Sequence, residues 1–461
     1  MKKLNALDNM FLLMDRPDQK MHIVAYAVFE KPADAPDNYV QNLVEDMRRN
    51  PWPLPHYNEK LHRSIRTLGR YHWTEAKDMD MDMTHHVRLV TLQGSNAEQA
   101  LRDYTTDLYA TALDYDRPMW EMHVIDGLER RNEFAMAFKV HHCSIDGISA
   151  KNVIEEVLRP DPTDRSNPDM GRKKHHQKAR FDANLPRMSR RERLSAYWKG
   201  LGTIRGQIKS GETMLIPPPD AVPVTRFNTL VEPTRSFATT SLALTLVAEV
   251  ARATQSTIND VISAVVGTAM RRYLDSKGES PAKSLYATMP ISIHTDEDMD
   301  QSNRICFCAY SLATDTASPV EQIESIRQST AKAKAQIRSV PQSVLYSLMG
   351  VRILSLMVKR LRGIRAVNPR TMTNVLISNV PIFKEARYYK GAKLLGLYPL
   401  SLVMDGIGIN ITVSSYIDRL LFGLASDKTK APDIEKIGQH MQDALEEMQM
   451  TILGAPVRQE A

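Results

Sequence analysis

Cysteine is scarce. Cys143, Cys306 and Cys308 are three residues in 461, too few for a disulfide framework. Cys306 and Cys308 alternate within an apolar run, so they share one strand face, and all three read as reduced. No uninterrupted apolar stretch reaches 18 residues, which excludes an obvious membrane-spanning helix. The opening Met1-Lys2-Lys3-Leu4-Asn5 runs into a mixed polar segment rather than a secretory apolar core, predicting a cytoplasmic protein. There is no Cys-x-x-Cys, no His-Glu-x-x-His, no P-loop and no strand-linked Gly-x-Gly-x-x-Gly. Zinc chemistry, nucleotide-dependent phosphoryl transfer and hydride transfer therefore lack motif support. No repeat of 20 to 50 residues is present, which disfavours solenoids and propellers.

What is there is an ordinary globular composition, 43% hydrophobic and 25% charged. At 461 residues two cores are expected rather than one. The net charge of +6 is unevenly spread. Residues 161 to 200 hold eleven Lys/Arg against five Asp/Glu, and residues 341 to 370 hold six Lys/Arg and no acid. Two basic patches thus sit on a mildly acidic body.

Periodicity predicts a mixed α/β first part over residues 1–160, with helices at 5–14 and 97–110 and strands at 22–30, 85–92, 119–128 and 134–140. The last of these lacks clean alternation, as expected of a strand covered on both faces. Residues 161–225 read as a basic, proline-rich linker with one helix near 190–208. A second α/β part, 226–461, is expected to hold helices at 242–254 and 258–274 and strands at 285–293, 304–312 and 374–380. A hairpin is expected around 415–419, between strands 407–414 and 420–425.

The strand at 134–140 is followed by His141-His142-Cys143-Ser144-Ile145-Asp146-Gly147, and then by a helical pattern from Ile148 to Leu158. A bare histidine pair is usually structural; His85-His86 and His175-His176 are such pairs, and neither has Asp-Gly following at that spacing. Strand, polar turn and helix is a frequent setting for catalysis. A neutral imidazole near pH 7 can take a proton from a hydroxyl or amine as it attacks a carbonyl, and His142 is the candidate base. Asp146 either folds back toward the imidazoles or holds the loop by ion pairing, and Gly147 permits tight backbone geometry at the helix start. Backbone amides there suit a developing oxyanion. Gly147-Ile148-Ser149 starts like a nucleophile elbow, but Lys151 stands where the second glycine belongs.

Several further motifs occur in a fixed order around this heptad. They are Leu7-Asp8-Asn9-Met10-Phe11-Leu12, Met21-His22-Ile23, Arg117-Pro118-Met119-Trp120-Glu121, Ile258-Asn259-Asp260-Val261, Ser302-Asn303-Arg304, Ile377-Ser378-Asn379-Val380-Pro381, and Asn410-Ile411-Thr412 through Ser415-Tyr416. With them the sequence resembles the bacterial wax ester synthase/acyl-CoA:diacylglycerol acyltransferase family, within the chloramphenicol-acetyltransferase-like and condensation-domain superfamily.

The resemblance implies an α/β fold of two chloramphenicol-acetyltransferase-like domains, each a mixed β-sheet with helices, and a substrate tunnel between them. It implies long-chain acyl-CoA as co-substrate, a fatty alcohol or diacylglycerol as acceptor, wax esters or triacylglycerol as products, and neither cofactor nor metal. The base role falls on His142 beside His141, with transfer direct and no acyl-enzyme. Asp146 becomes structural, with Arg304 as its candidate partner. Asn259, Asp260, Asn303, Arg304, Ser378 and Asn379 become site-supporting or substrate-binding candidates, although Asn259 suits a helix N-cap equally well. Pro118 and Trp120 are expected to pack behind the catalytic strand. Ile382-Phe383 departs from the family, where Gly-Pro commonly follows the first proline, so that loop should be shaped differently here.

A rival reading is a condensation-type transferase using an amine or a carrier-protein thioester; the N-terminal and Ser-Tyr motifs argue against it. A non-enzymatic lipid binder is opposed by the intact His142 and Asp146, and nucleic acid is not an expected partner. Ser343 to Arg365 carries apolar residues at helical spacing beside Arg352, Lys359, Arg360, Arg362 and Arg365. This suits peripheral attachment to the inner face of a cell membrane or to a lipid inclusion, or equally a core-packed helix with a basic edge that docks CoA.

Overall fold

The computed structural model describes residues 2–4, 6–63, 70–77, 81–93, 96–145, 147–168, 221–292, 305–339 and 373–454, with isolated positions between 191 and 217. Its first part runs β1 (Lys2–Lys3), α1 (Ala6–Met14), β2 (His22–Glu30), α2 (Tyr39–Arg49), β3 (Glu59–Arg63) and β4 (Tyr71–Glu75). It continues through α3 (Met83–His86), β5 (Val87–Thr91), α4 (Ala97–Ala110), β6 (Trp120–Asp126), β7 (Glu133–His141) and α5 (Gly147–Val157). The second part opens with β8 (Arg235–Ala243), α6 (Leu244–Ala253), α7 (Ile258–Ser276), β9 (Tyr286–Ser292), β10 (Ile305–Ser311) and α8 (Pro319–Ser339). It closes with β11 (Val375–Phe383), β12 (Tyr388–Tyr389), β13 (Ala392–Leu400), β14 (Ile409–Tyr416), β15 (Arg419–Asp427) and α9 (Glu435–Met448).

Among the described residues, two six-stranded sheets carry the fold, in the orders β12-β13-β2-β7-β6-β5 and β10-β9-β11-β14-β15-β8, beside a small sheet β1-β4-β3. Both large sheets are mixed: β5 pairs parallel with β6, and β11 pairs parallel with β9 and β14, among otherwise antiparallel neighbours. The amphipathic α2 covers one face of the first sheet with Val40, Leu43, Val44 and Met47, spaced as one helical stripe. In the second part α7 is buried along most of its length. Between the sheets, Val24, Tyr26, Ile125, Ala135 and Ala137 of the first meet Phe237, Ala425, Val231 and Val403 from the second part.

Several expectations need adjusting. The strand expected to begin at His85 starts at Val87, because Asp82 accepts from the Thr84 and His85 amides and caps α3 across the histidine pair. Leu242 lies in β8 rather than in a helix, and α6 begins at Leu244. The hairpin turn is only Ile417-Asp418, with Ile417 at φ 54°. Strands β12 and β13 cross into the first sheet, β13 pairing along β2 from Lys393↔Glu30 to Leu400↔Val24. Residues 388–400 of the expected 226–461 part therefore complete the sheet of the 1–160 part, and the sheets do not divide as the chain does. Gly423 of β15 lies so close beneath β13 that a Cβ there would sit 2.1 Å from the Pro399 carbonyl oxygen.

Most of the expected linker 161–225 and all of 343–365 lie outside the described residues. The six described positions between 191 and 206 are helical, in keeping with the helix expected near 190–208. Among the described residues no helix is long and apolar enough to cross a membrane.

Candidate active site

Three strands end together at the histidine pair. In the register of β2 and β7, His22 stands opposite His141. The His141 amide donates to the Met119 carbonyl just before β6, and the His142 amide donates to the Met21 carbonyl just before β2. The motif segments around residues 21–23 and 117–121 thus supply backbone acceptors for the two histidines. The chain then turns tightly, with the Ser144 amide donating to the His141 carbonyl.

The imidazoles have different surroundings. His141 is fully buried. Its Nδ1 accepts the Cys143 amide at 3.1 Å, so Nε2 carries the proton and donates it to Asp15 Oδ2 at 3.1 Å. The same Asp15 oxygen accepts the Tyr115 hydroxyl at 2.9 Å. Burial and the Asp15 charge push the Tyr115 phenol far up, so it stays a donor. With both nitrogens engaged, His141 holds the turn rather than facing substrate. His142 is partly exposed, and its ring stacks on Phe11 with centroids 4.3 Å apart. Phe11 lies on α1, within the motif at residues 7–12.

Beyond the turn, exposed Gly147 opens α5, and a Cβ there would meet nothing within 4 Å. Helix α5 packs against β11, which carries half-buried Ser378 and exposed Asn379. Asn379 donates its side-chain amide to Asn259 Oδ1 at 2.6 Å. Asn259 is not the N-cap of α7: Thr257 is, and Asp260 completes a capping box with it. Asp260 is buried, accepting the Thr257 amide and hydroxyl on one oxygen and the Thr330 hydroxyl on the other. The structure thus brings together His141, His142 and Gly147, and separately Asn259 and Asn379, with α5 against β11 between the groups. Asp260 serves the helix start. Asp146, Asn303 and Arg304 lie outside the described residues, and with them the expected Asp146–Arg304 pair. Trp120 is buried, donates Nε1–H to the Tyr57 carbonyl and stacks on His86, the packing role expected of it.

A buried row of polar groups lies beside His141 on the same sheet face. Lys139 is fully buried and donates to the Thr111 carbonyl at 2.7 Å; burial pulls its ammonium down to about 8 despite Glu121 opposite it in register. Burial opposes the Glu121 charge, but His123 and Lys139 hold the carboxyl down at about 2. His123 donates Nε2–H to Glu121 at 3.0 Å and accepts the Tyr104 hydroxyl at 2.6 Å. His22 donates to the Tyr109 carbonyl at 2.7 Å; burial first and the Lys139 charge second depress its basicity strongly. Among the described residues no group of three His, Cys, Asp or Glu side chains is placed to hold a metal ion.

Asp15, Tyr115 and the stacking of Phe11 are absent from the expected site residues. Asp15 follows Phe11 by four positions, one helical turn, and that spacing after a recognisable motif is the signal that would have found it.

The wax ester synthase/diacylglycerol acyltransferase catalytic domain matches residues 4–262, and the C-terminal domain of the same family matches residues 301–449. The O-acyltransferase WSD of Acinetobacter baylyi is 32% identical over 470 aligned residues, covering 97% of this chain and 96% of that protein. A putative diacylglycerol O-acyltransferase of Mycobacterium tuberculosis is 31% identical, covering 98% and 100%. Among solved structures, the wax ester synthase/diacylglycerol acyltransferase from Marinobacter aquaeolei VT8 superposes with a TM-score of 0.75 at 26% identity, over 98% of this chain and 99% of that one. The first condensation domain of the calcium-dependent antibiotic synthetase shares the fold, with a TM-score of 0.62 at 13% identity over 99% and 97% of the chains. The two mixed sheets are of the condensation-domain type of fold, and the relatives and family models place the chain among O-acyltransferases. Within that class, the chain belongs to the wax ester synthase/diacylglycerol acyltransferase family.

Proposed function

We propose that the enzyme transfers a long-chain acyl group from acyl-CoA to the hydroxyl of a fatty alcohol or diacylglycerol, yielding a wax ester or triacylglycerol. His142 removes the hydroxyl proton as the oxygen attacks the thioester carbonyl; the tetrahedral oxyanion collapses to the ester, the C–S bond breaks, and the His142 imidazolium returns the proton to the departing CoA sulfur. No acyl-enzyme forms and no cofactor takes part. One observation carries this assignment: of two adjacent imidazoles, His141 is fully buried with both nitrogens engaged, while His142 is partly exposed and held by a stacked ring. Much of the rate comes from holding two substrates in a dry tunnel between the sheets, with amides at the start of α5 opposite the developing oxyanion. The Asn259–Asn379 pair, with Ser378, lines the second-part side of that path.

The test is CoA release from palmitoyl-CoA with hexadecanol or a diacylglycerol. His142→Ala is expected to lower turnover by about 100-fold or more while the protein stays folded. Full turnover in the folded variant overturns the base assignment, and transfer only to amines overturns the acceptor assignment. The substrates partition into lipid, and the cationic stretch Ser343 to Arg365 provides attachment to an anionic surface. Neutralising Arg352, Lys359, Arg360 and Arg362 should weaken binding to anionic vesicles. Unchanged binding overturns that attachment.

A further inference from the structure

One turn of chain touches both histidines. The Asp15 amide donates to the Phe11 carbonyl at 3.0 Å, closing α1 with a last helical turn. The Phe11 ring then lies on His142, and the Asp15 carboxylate meets His141 Nε2. Next, residues 16–19 form a reciprocal backbone turn, and Arg16 ion-pairs with Asp405 of the second part at 2.6 Å. The clamp thus ties the end of β7 to the connection between β13 and β14.

We infer that Asp15 is a positioning residue for the transfer reaction. It receives the His141 Nε2 proton and so fixes the ring with Nδ1 bare. Bare Nδ1 is what the Cys143 amide requires, and that bond shapes the turn carrying His142. The opposite tautomer would set an N–H of the ring against the N–H of Cys143 inside a dry site, leaving both unsatisfied. Tyr115 donates to the same oxygen and so keeps Asp15 an acceptor. Phe11 complements this from the same helical face by fixing the plane of His142. Asp15 itself lies behind His141 and touches no reacting atom. This role rests on His142 being the base, as proposed above.

The experiment compares wild type with Asp15→Ala, Asp15→Leu, Asp15→Asn and Tyr115→Phe, using palmitoyl-CoA and hexadecanol. Ala and Leu remove the acceptor, and Leu keeps the volume where Ala leaves a hole. Both are expected to lower kcat about 10- to 100-fold with KM within about twofold, because placement of the base is lost and substrate contact is not. Asn keeps an acceptor oxygen in place and should restore kcat to within about threefold, a rescue that a demand for bulk alone would not give. Nitrogen NMR of labelled histidine should find His141 as one Nε2-protonated tautomer in wild type and in Asp15→Asn, and as a mixture in the acceptor-free variants. Wild-type kcat in a folded Asp15→Leu protein overturns the role, as does an unchanged His141 tautomer there. Because the tautomer reading does not pass through turnover, it separates failure of this inference from failure of His142 as base.

Discussion

Asn379 on β11 and Asn259 in the first turn of α7 are joined side chain to side chain at 2.6 Å, 120 positions apart in sequence. Both are exposed, and a solvent-exposed neutral hydrogen bond contributes at most about 1 kcal/mol. Asn379→Ala should therefore shift the melting temperature by no more than about 2 °C. If the pair lines the acceptor path, the same change should lower kcat/KM about 5- to 10-fold, and adding Asn259→Ala should cost nothing more. Full activity in both single variants would remove the pair from the site.

Acid should destabilise this fold through groups buried neutral. His22 is depressed in the folded state by burial and by Lys139, so below its unfolded value near 6.5 the unfolded chain binds a proton that the folded chain refuses. Stability then falls as pH drops below about 6.5, by up to roughly 1.4 kcal/mol per pH unit for that one group. Glu121 adds in the same direction between about 4.5 and about 2, where the unfolded carboxyl protonates first. His22→Gln, which keeps a donor toward the Tyr109 carbonyl, should flatten the slope between pH 5 and 6.5 in urea titrations. An unchanged slope would show that His22 is not the group refusing the proton.

At Gly423 the two sheets approach closely. An added Cβ would lie 2.1 Å from the Pro399 oxygen and 2.8 Å from its carbonyl carbon, both backbone atoms that cannot rotate aside. Gly423→Ala should cost about 1–3 kcal/mol or more, visible as a lower urea midpoint. Gly147→Ala makes the contrast: its Cβ enters open space, so stability should change by less than about 1 kcal/mol. Equal losses from the two substitutions would contradict this account of the sheet contact.

Local patterns were legible in the sequence, and long-range pairings were not. Strand His22–Glu30 and helix Ala97–Ala110 fall where periodicity places them, because each buries one face or both within a single run of residues. The histidine pair stands out by its spacing from Asp146-Gly147. The Thr257-x-x-Asp260 capping box was passed over in favour of Asn259 as the cap, and it is the reason Asp260 faces the start of α7 and Thr330. Asp15 shows in the sequence only as an acid one helical turn after Phe11; its partners are 100 and 126 positions away, and that spacing does not name them. No strand was expected over Ala392–Leu400, and its partner β2 lies more than 360 positions earlier, a distance for which periodicity carries no address.

That pairing bears on how the chain is made. Until residues 392–400 leave the ribosome, β2 has a partner on one side only, and its other edge offers a row of open amides and carbonyls. The wait spans roughly 250 residues after β7, tens of seconds at about 5–20 residues per second. During it the nascent first half is an adhesive surface for any other strand. A fragment ending before residue 388 would keep that edge for good, so it should collect in the insoluble fraction even though it carries the histidine pair intact.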